Sequence, residues 1–290
     1  MKKTVYTMLL LLIITTNKSK DWNKFEQDIQ QKAGLPAIQR CQPIHDAAMK
    51  GDTALLQKLL SEGADINQIG CFWKMTPLQV VLFENISPQI TKTVVPWLLE
   101  HGAATALEYK DPDFERTALH YAAMKGHITA ITDLIKKGAN KNATDGEGNT
   151  ALHLAALFNQ PASVRALLSN DADINAQQRT ETIPLDKDPL PKPIHSAAFK
   201  GNDRAIEVFL EFKQDINTPD ALGATPLHYA AMQMNTVTAT MLISRGAKKD
   251  IKDKFGKTPL GYASASVASA YPNMTPEEVQ RVPIIIILRY

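Results

Sequence analysis

The sequence predicts an all-α solenoid: stacked helix–turn–helix repeats joined by short β-hairpin fingers. Three observations point there. First, one phrase recurs along the chain. It reads QPIHDAA from Gln42, TPLQVVL from Thr76, TALHYAA from Thr117, TALHLAA from Thr150, KPIHSAA from Lys192, TPLHYAA from Thr225 and TPLGYAS from Thr258. Second, the fourth residue of each copy falls at His45, Gln79, His120, His153, His195, His228 and Gly261, in steps of 34, 41, 33, 42, 33 and 33 residues. A fixed period in this range marks a repeat array. Third, each phrase is followed by an apolar run at helical spacing, such as Leu55, Leu56, Leu59 and Leu60, or Ile128, Ile131, Leu134 and Ile135. One such unit cannot bury its own apolar face, so neighbours must stack.

Residues 1–20 stand apart from the array. Lys2 and Lys3 precede an uncharged run from Thr4 to Thr16. That pattern is a secretory n-region and h-region, too short to span a bilayer comfortably. The expectation is a cleaved signal peptide. An uncleaved anchor and an apolar capping helix are the alternatives, since no A-x-A follows and Ser19 is the best small residue for cleavage. Residues 21–41 read as an N-terminal capping helix: Asp21 caps it, Trp22, Phe25 and Ile29 share a face, and Gly34 ends it.

Residues 42–270 hold about seven repeats. The phrase opens with a Thr suited to an N-cap and a Pro suited to the first turn. Its Leu or Ile points inward, and its paired Ala admits a close neighbour. Gly51, Gly126 and Gly201 end first helices, and Gly63, Gly102, Gly138 and Gly246 end second ones. Asn159 and Met234 stand where the first glycine belongs, and Asp171 and Lys213 where the second does. Lys and Met tolerate positive φ poorly, so the fifth and sixth units are expected to turn differently. About five extra residues fall between the helices of the second unit, around 84–93, and about nine lengthen the fourth finger, around 177–192; they read as long loops that either carry function or are tolerated insertions. Residues 271–290 read as a C-terminal cap. Thr275-Pro276-Glu277-Glu278 opens a capping box, Pro283 interrupts the helix, and IIIIL comes after it.

The phrase, the period and the second run ending in Gly-Ala resemble the ankyrin repeat, over roughly residues 40–270. The resemblance implies a protein-binding scaffold whose first helices end on a concave groove. The residues just after the Ala pair are Met49, Phe83, Met124, Leu157, Phe199, Met232 and Ala265, all apolar. The next position is mostly polar, with Lys50, Glu84, Lys125, Lys200 and Gln233 against Phe158. Stacking turns the first set into a Met- and Phe-rich stripe, expected to dock a partner, and Phe72 and Trp73 in the first long finger extend it as aromatic anchors. The alternative is that these side chains fold back and are mostly buried.

Chemistry is sparse. The five histidines share one repeat position, so stacking spaces them along the solenoid, and structural hydrogen bonding is expected of them. Cys41 and Cys71 form no C-x-x-C, and whether they pair stays open. Asp111, Asp113, Asp186 and Asp188 read as solvated loop carboxylates. There is no phosphate loop, no G-x-S-x-G and no H-E-x-x-H, and the flanks are too short for a catalytic domain. No catalytic or metal residue, cofactor or small-molecule substrate is therefore assigned. A net charge of +2 gives no global bias to nucleic acid or membranes. The locally basic stretch RGAKKDIKDKFGK (245–257) reads as a solvated face, with a phosphate or acidic-partner patch as the alternative. The expected function is a non-catalytic, monomeric protein-interaction scaffold exported from a bacterial cell, periplasmic or secreted. Alternatives are an N-terminally anchored form, an effector acting on host proteins in host cytosol, and an enzyme built on the long fingers.

Overall fold

In the computed structural model the chain divides into two units, Met1–Arg40 and Cys41–Tyr290. The structure describes residues 42–70, 74–84, 86–178 and 191–290. The signal-like segment, the 21–41 helix, both cysteines and the Phe72–Trp73 pair lie outside the described residues.

The second unit is a two-layer stack. Its first helices are α1 (Pro43–Lys50), α3 (Pro77–Phe83), α5 (Ala118–Lys125), α7 (Ala151–Leu157), α9 (Pro193–Lys200), α11 (Pro226–Met232) and α13 (Pro259–Ala270). Its second helices are α2 (Thr53–Ser61), α4 (Pro88–Glu100), α6 (Ile128–Lys136), α8 (Pro161–Ser169), α10 (Asp203–Glu211) and α12 (Thr236–Ser244). Each first helix packs on the next first helix, and from α4 to α10 each second helix packs on the next second helix. The alanine pairs of α1, α5, α7, α9 and α11 are wholly buried. Larger side chains such as Val95, Leu98, Leu134, Leu167 and Phe209 fill the layer behind them. The small residues let the first helices approach one another closely, while the second layer is filled by larger side chains.

Two short helices complete the unit, α14 (Pro276–Gln280) and α15 (Pro283–Arg289). Pro283 sits at the first turn of α15 rather than inside one continuous helix. This helix packs on α12 and α13, the place of a seventh second helix. It buries Ile284, Ile285 and Leu288, so most of the IIIIL run is core rather than exposed surface.

Three local expectations are corrected. Asn159, Asp171, Lys213 and Met234 take φ of 52°, 58°, 62° and 55°, the left-handed turn that glycine makes elsewhere. The fifth and sixth units therefore turn as the others do, at the cost of local strain. The insertion around 84–93 is largely helical: α4 has 13 residues where α6 has 9, and Pro96 lies inside it. The fingers, among the described residues, show only two isolated antiparallel bridges, Gly70–Met75 and Thr144–Thr150. They are tight turns rather than extended hairpins.

Candidate functional site

The recurring histidine is a fastener between units. In α5 the backbone N–H of Thr117 donates to Nδ1 of His120 at 3.1 Å, and the Thr117 hydroxyl lies 2.8 Å from the same nitrogen. An Nδ1 that accepts from a backbone amide leaves the proton on Nε2. That nitrogen donates to the Asn149 carbonyl of the next finger at 3.1 Å. His153 repeats the arrangement with Thr150 and the Pro191 carbonyl, and His228 with Thr225 and the Lys257 carbonyl. His195 reaches the carbonyls of Thr218 and Ala224, and His45 that of Met75. Gln79 does the same work with an amide: its Oε1 accepts from Thr76 N–H at 3.0 Å, and its Nε2 donates to Tyr109 and Arg116 carbonyls. Burial holds all five imidazoles below their ordinary pKa, His153 to about 4 and His195 to about 3. They are neutral, spent on structure, and spread along the stack.

Four of the fingers are each folded around one carboxylate. Asp111 accepts from the backbone N–H of Asp113, Phe114 and Arg116 and from the Tyr121 hydroxyl. It is 1% exposed, so its reading as a solvated loop carboxylate is wrong. Asp145, Asp220 and Asp253 hold their turns in the same way. Tyr229 and Tyr262 donate to Asp220 and Asp253 as Tyr121 does to Asp111. The signal was present in the sequence: an Asp five or six residues before each of these Thr positions, with a Tyr in the phrase after three of the four. Among the described residues no group of three His, Cys, Asp or Glu side chains could hold a metal ion.

The apolar row is real but unevenly exposed. Met49, Phe83, Leu157, Phe199 and Met232 are half-buried at the ends of their helices, and Phe158 is 47% exposed. Met124 departs from the expectation. It is 8% exposed and its sulfur lies 3.9 Å from the Arg116 guanidinium, so it contributes little docking surface. Phe83 packs edge-on against Tyr121 at 5.3 Å, and Phe199 against Tyr229 at 6.5 Å. The Lys125 and Lys200 ammoniums stand 5.3 Å and 5.7 Å from the Phe83 and Phe199 ring centres. Beside this row a cleft of about 490 Å³ opens where the lengthened second unit meets the third, lined by Glu84, Ile86, Lys92, Lys125, His127 and Ile128. Burial raises the Glu84 carboxyl and lowers the Lys125 ammonium, and each charge works against the other's shift.

Comparison with known proteins agrees with this architecture. The ankyrin repeat family profile matches in three copies, at residues 44–145, 89–178 and 194–271. Human inversin is 28% identical over 191 residues, 65% of this chain and 16% of that protein. Human neurogenic locus notch homolog protein 1 is 32% identical over 134 residues, 46% of this chain and 5% of that protein. The chain thus spans a small part of these relatives. Both are animal proteins and give no support to a bacterial origin. The ankyrin repeat domain of Bcl-3, a member of the IkappaB family, superposes with a TM-score of 0.61 at 23% identity, covering 86% of this chain and 98% of that one. The profile spans more than half of the sequence, and the chain belongs to the ankyrin repeat family.

Proposed function

We propose that this chain is a non-catalytic scaffold that docks a protein segment along the concave row formed by Met49, Phe83, Leu157, Phe199 and Met232, with Phe158 at its edge. Ankyrin repeats are protein-interaction scaffolds, and that much comes with the family. The observation supporting the finer reading is the row itself. Apolar side chains at one position in five of the repeats stay half-exposed at the ends of helices whose other apolar residues are mostly buried. Exposed apolar surface repeated in register suits an extended partner. Phe72 and Trp73 remain candidate anchors on sequence grounds.

The test is a photo-crosslinking amino acid placed at Phe199 or, as a control, at Val237 on α12, which is 73% exposed. Crosslinks to one protein from position 199 and none from 237 are expected. Equal yields from both positions would remove the groove from the reading.

Export belongs to the same proposal and rests on the Lys2-Lys3 start and the apolar run to Thr16. No helix among the described residues is long and apolar enough to cross a membrane. A reporter enzyme active only outside the cytoplasm, fused after Asp21, is expected to work in a bacterial host. A well-expressed but inactive fusion overturns export.

A further inference from the structure

The last described finger differs from the earlier ones in its charge and its apex. Residues 248–257 hold five lysines against two aspartates, a larger positive excess than the +2 of the entire chain. One of the two aspartates, Asp253, is 7% exposed and turned inward to Tyr262 and the turn amides. Lys248, Lys252, Lys254 and Lys257 are exposed. No ion pair among the described residues engages them.

At the apex stands Phe255, 66% exposed. Two of the corresponding tips are less open. Phe114 and Leu222 are half-buried, and each offers its carbonyl to the next described tip: Gly146 N–H donates to Phe114 at 2.9 Å, and Lys254 N–H to Leu222 at 2.8 Å. Phe255 occupies the next acceptor place in that ladder. The fastening histidine is also replaced, by Gly261, so the last unit has no imidazole to tie down a further finger. The helical layers do not end this way, because α15 covers α12 and α13. Among the described residues this finger thus presents a cationic surface with a bare aromatic ring at its apex.

We propose that this finger is a second docking site, separate from the concave row, and that it takes an extended acidic protein segment lying where a following finger would lie. Such a segment would offer a backbone N–H to the Phe255 carbonyl, an apolar side chain to the Phe255 ring, and carboxylates to Lys252, Lys254 and Lys257. Alternating carboxylate and apolar residues fit because the lysines flank the ring rather than forming a uniform basic plane. A phosphate polyanion or an anionic membrane would use the lysines and have no use for the ladder acceptor.

The experiment is fluorescence anisotropy with the full chain and a short fluorescein-labelled peptide of alternating glutamate and leucine. Its comparators are the glutamine version of the peptide, a short DNA duplex and phosphatidylserine vesicles. Wild type is expected to bind the glutamate peptide, more weakly as salt rises. The double variant Lys252→Glu with Lys254→Glu should weaken binding about tenfold or more, and Phe255→Ser about fivefold. All three positions are exposed, so melting temperatures should hold. Phe199→Ser, in the concave row, should leave this binding unchanged, which separates a failure here from a failure of the groove reading. The proposal is overturned if the glutamate peptide does not bind, if the finger variants bind it as wild type does, or if the glutamine peptide binds equally. Tighter finger-dependent binding to DNA or vesicles than to the peptide also overturns it, as does a finger-dependent dimer in sedimentation.

Discussion

Lys213 shows what a single residue contributes and costs. Its φ of 62° is one that an L side chain adopts against a penalty of about 1–2 kcal/mol. The side chain is exposed, so nothing is lost by removing it. Lys213→Gly relieves the strain but adds freedom to the unfolded chain, worth about 0.4–1 kcal/mol in the other direction. A net gain of about 0.5–1 kcal/mol in urea unfolding is expected, and a loss would show that the turn is unstrained. Met234 has the same backbone but packs against the core, so Met234→Gly should not gain. The histidine row gives a second test. His153→Ala strands the Thr150 amide and the Pro191 carbonyl and should cost about 2–4 kcal/mol. Gln79 already fastens its unit through both amide atoms. His153→Gln should therefore recover most of that loss, and equal losses for the two variants would refute the fastening role.

At the scale of helices, stability lies in the buried second layer. Leu134 of α6 has no exposed surface, and Leu134→Ala should cost about 2–5 kcal/mol through lost burial and the cavity left behind. Ile285 of α15 is 1% exposed, and Ile285→Ala should cost about as much. A change under about half a kcal/mol at either position in urea melts would mean that its helix is not part of the core. These helices were legible in the sequence because the Thr-Pro start, the Ala pair and the glycine stop act locally and recur. The features that were not legible depended on contacts between units. Asp111 looked like a loop carboxylate because the Tyr121 hydroxyl that covers it lies in the following helix. Met124 looked like groove surface because nothing in its own helix announces the Arg116 side chain beside it. The extra residues near Pro88 read as a loop because they lengthen the repeat between its two helices, yet Pro88 starts α4 and Pro96 is carried inside it. Phe255 stands out only once the neighbouring tips are seen to be covered.

For the whole stack, the histidine row makes stability depend on pH. Burial lowers the pKa of each imidazole and outweighs the hydrogen bonds to backbone carbonyls, which raise it. Asp145 beside His120 and His153, and Asp253 and Asp220 beside His228, pull the other way and are outweighed. The folded chain therefore binds fewer protons than the unfolded chain. Stability from these groups is complete above the ordinary pKa of 6.5 and falls as pH drops below it, for His195 down to about 3 and for His153 down to about 4. One unit below the ordinary value, a fully linked histidine costs about 1.4 kcal/mol. His153 and His195 together put the loss at pH 5.5 at about 3 kcal/mol, a sizeable part of the roughly 5–15 kcal/mol that a domain has, and His45, His120 and His228 act in the same direction. Because each histidine ties one repeat to the next, the loss falls on the interfaces that make the array unfold together. Urea unfolding is expected to show a steep drop between about pH 7 and pH 5.5. His153→Gln with His195→Gln, which keeps both fasteners without a titrating group, should flatten the slope by the equivalent of about two protons, roughly 2.7 kcal/mol per pH unit. An unchanged slope in that double variant would place the acid sensitivity elsewhere.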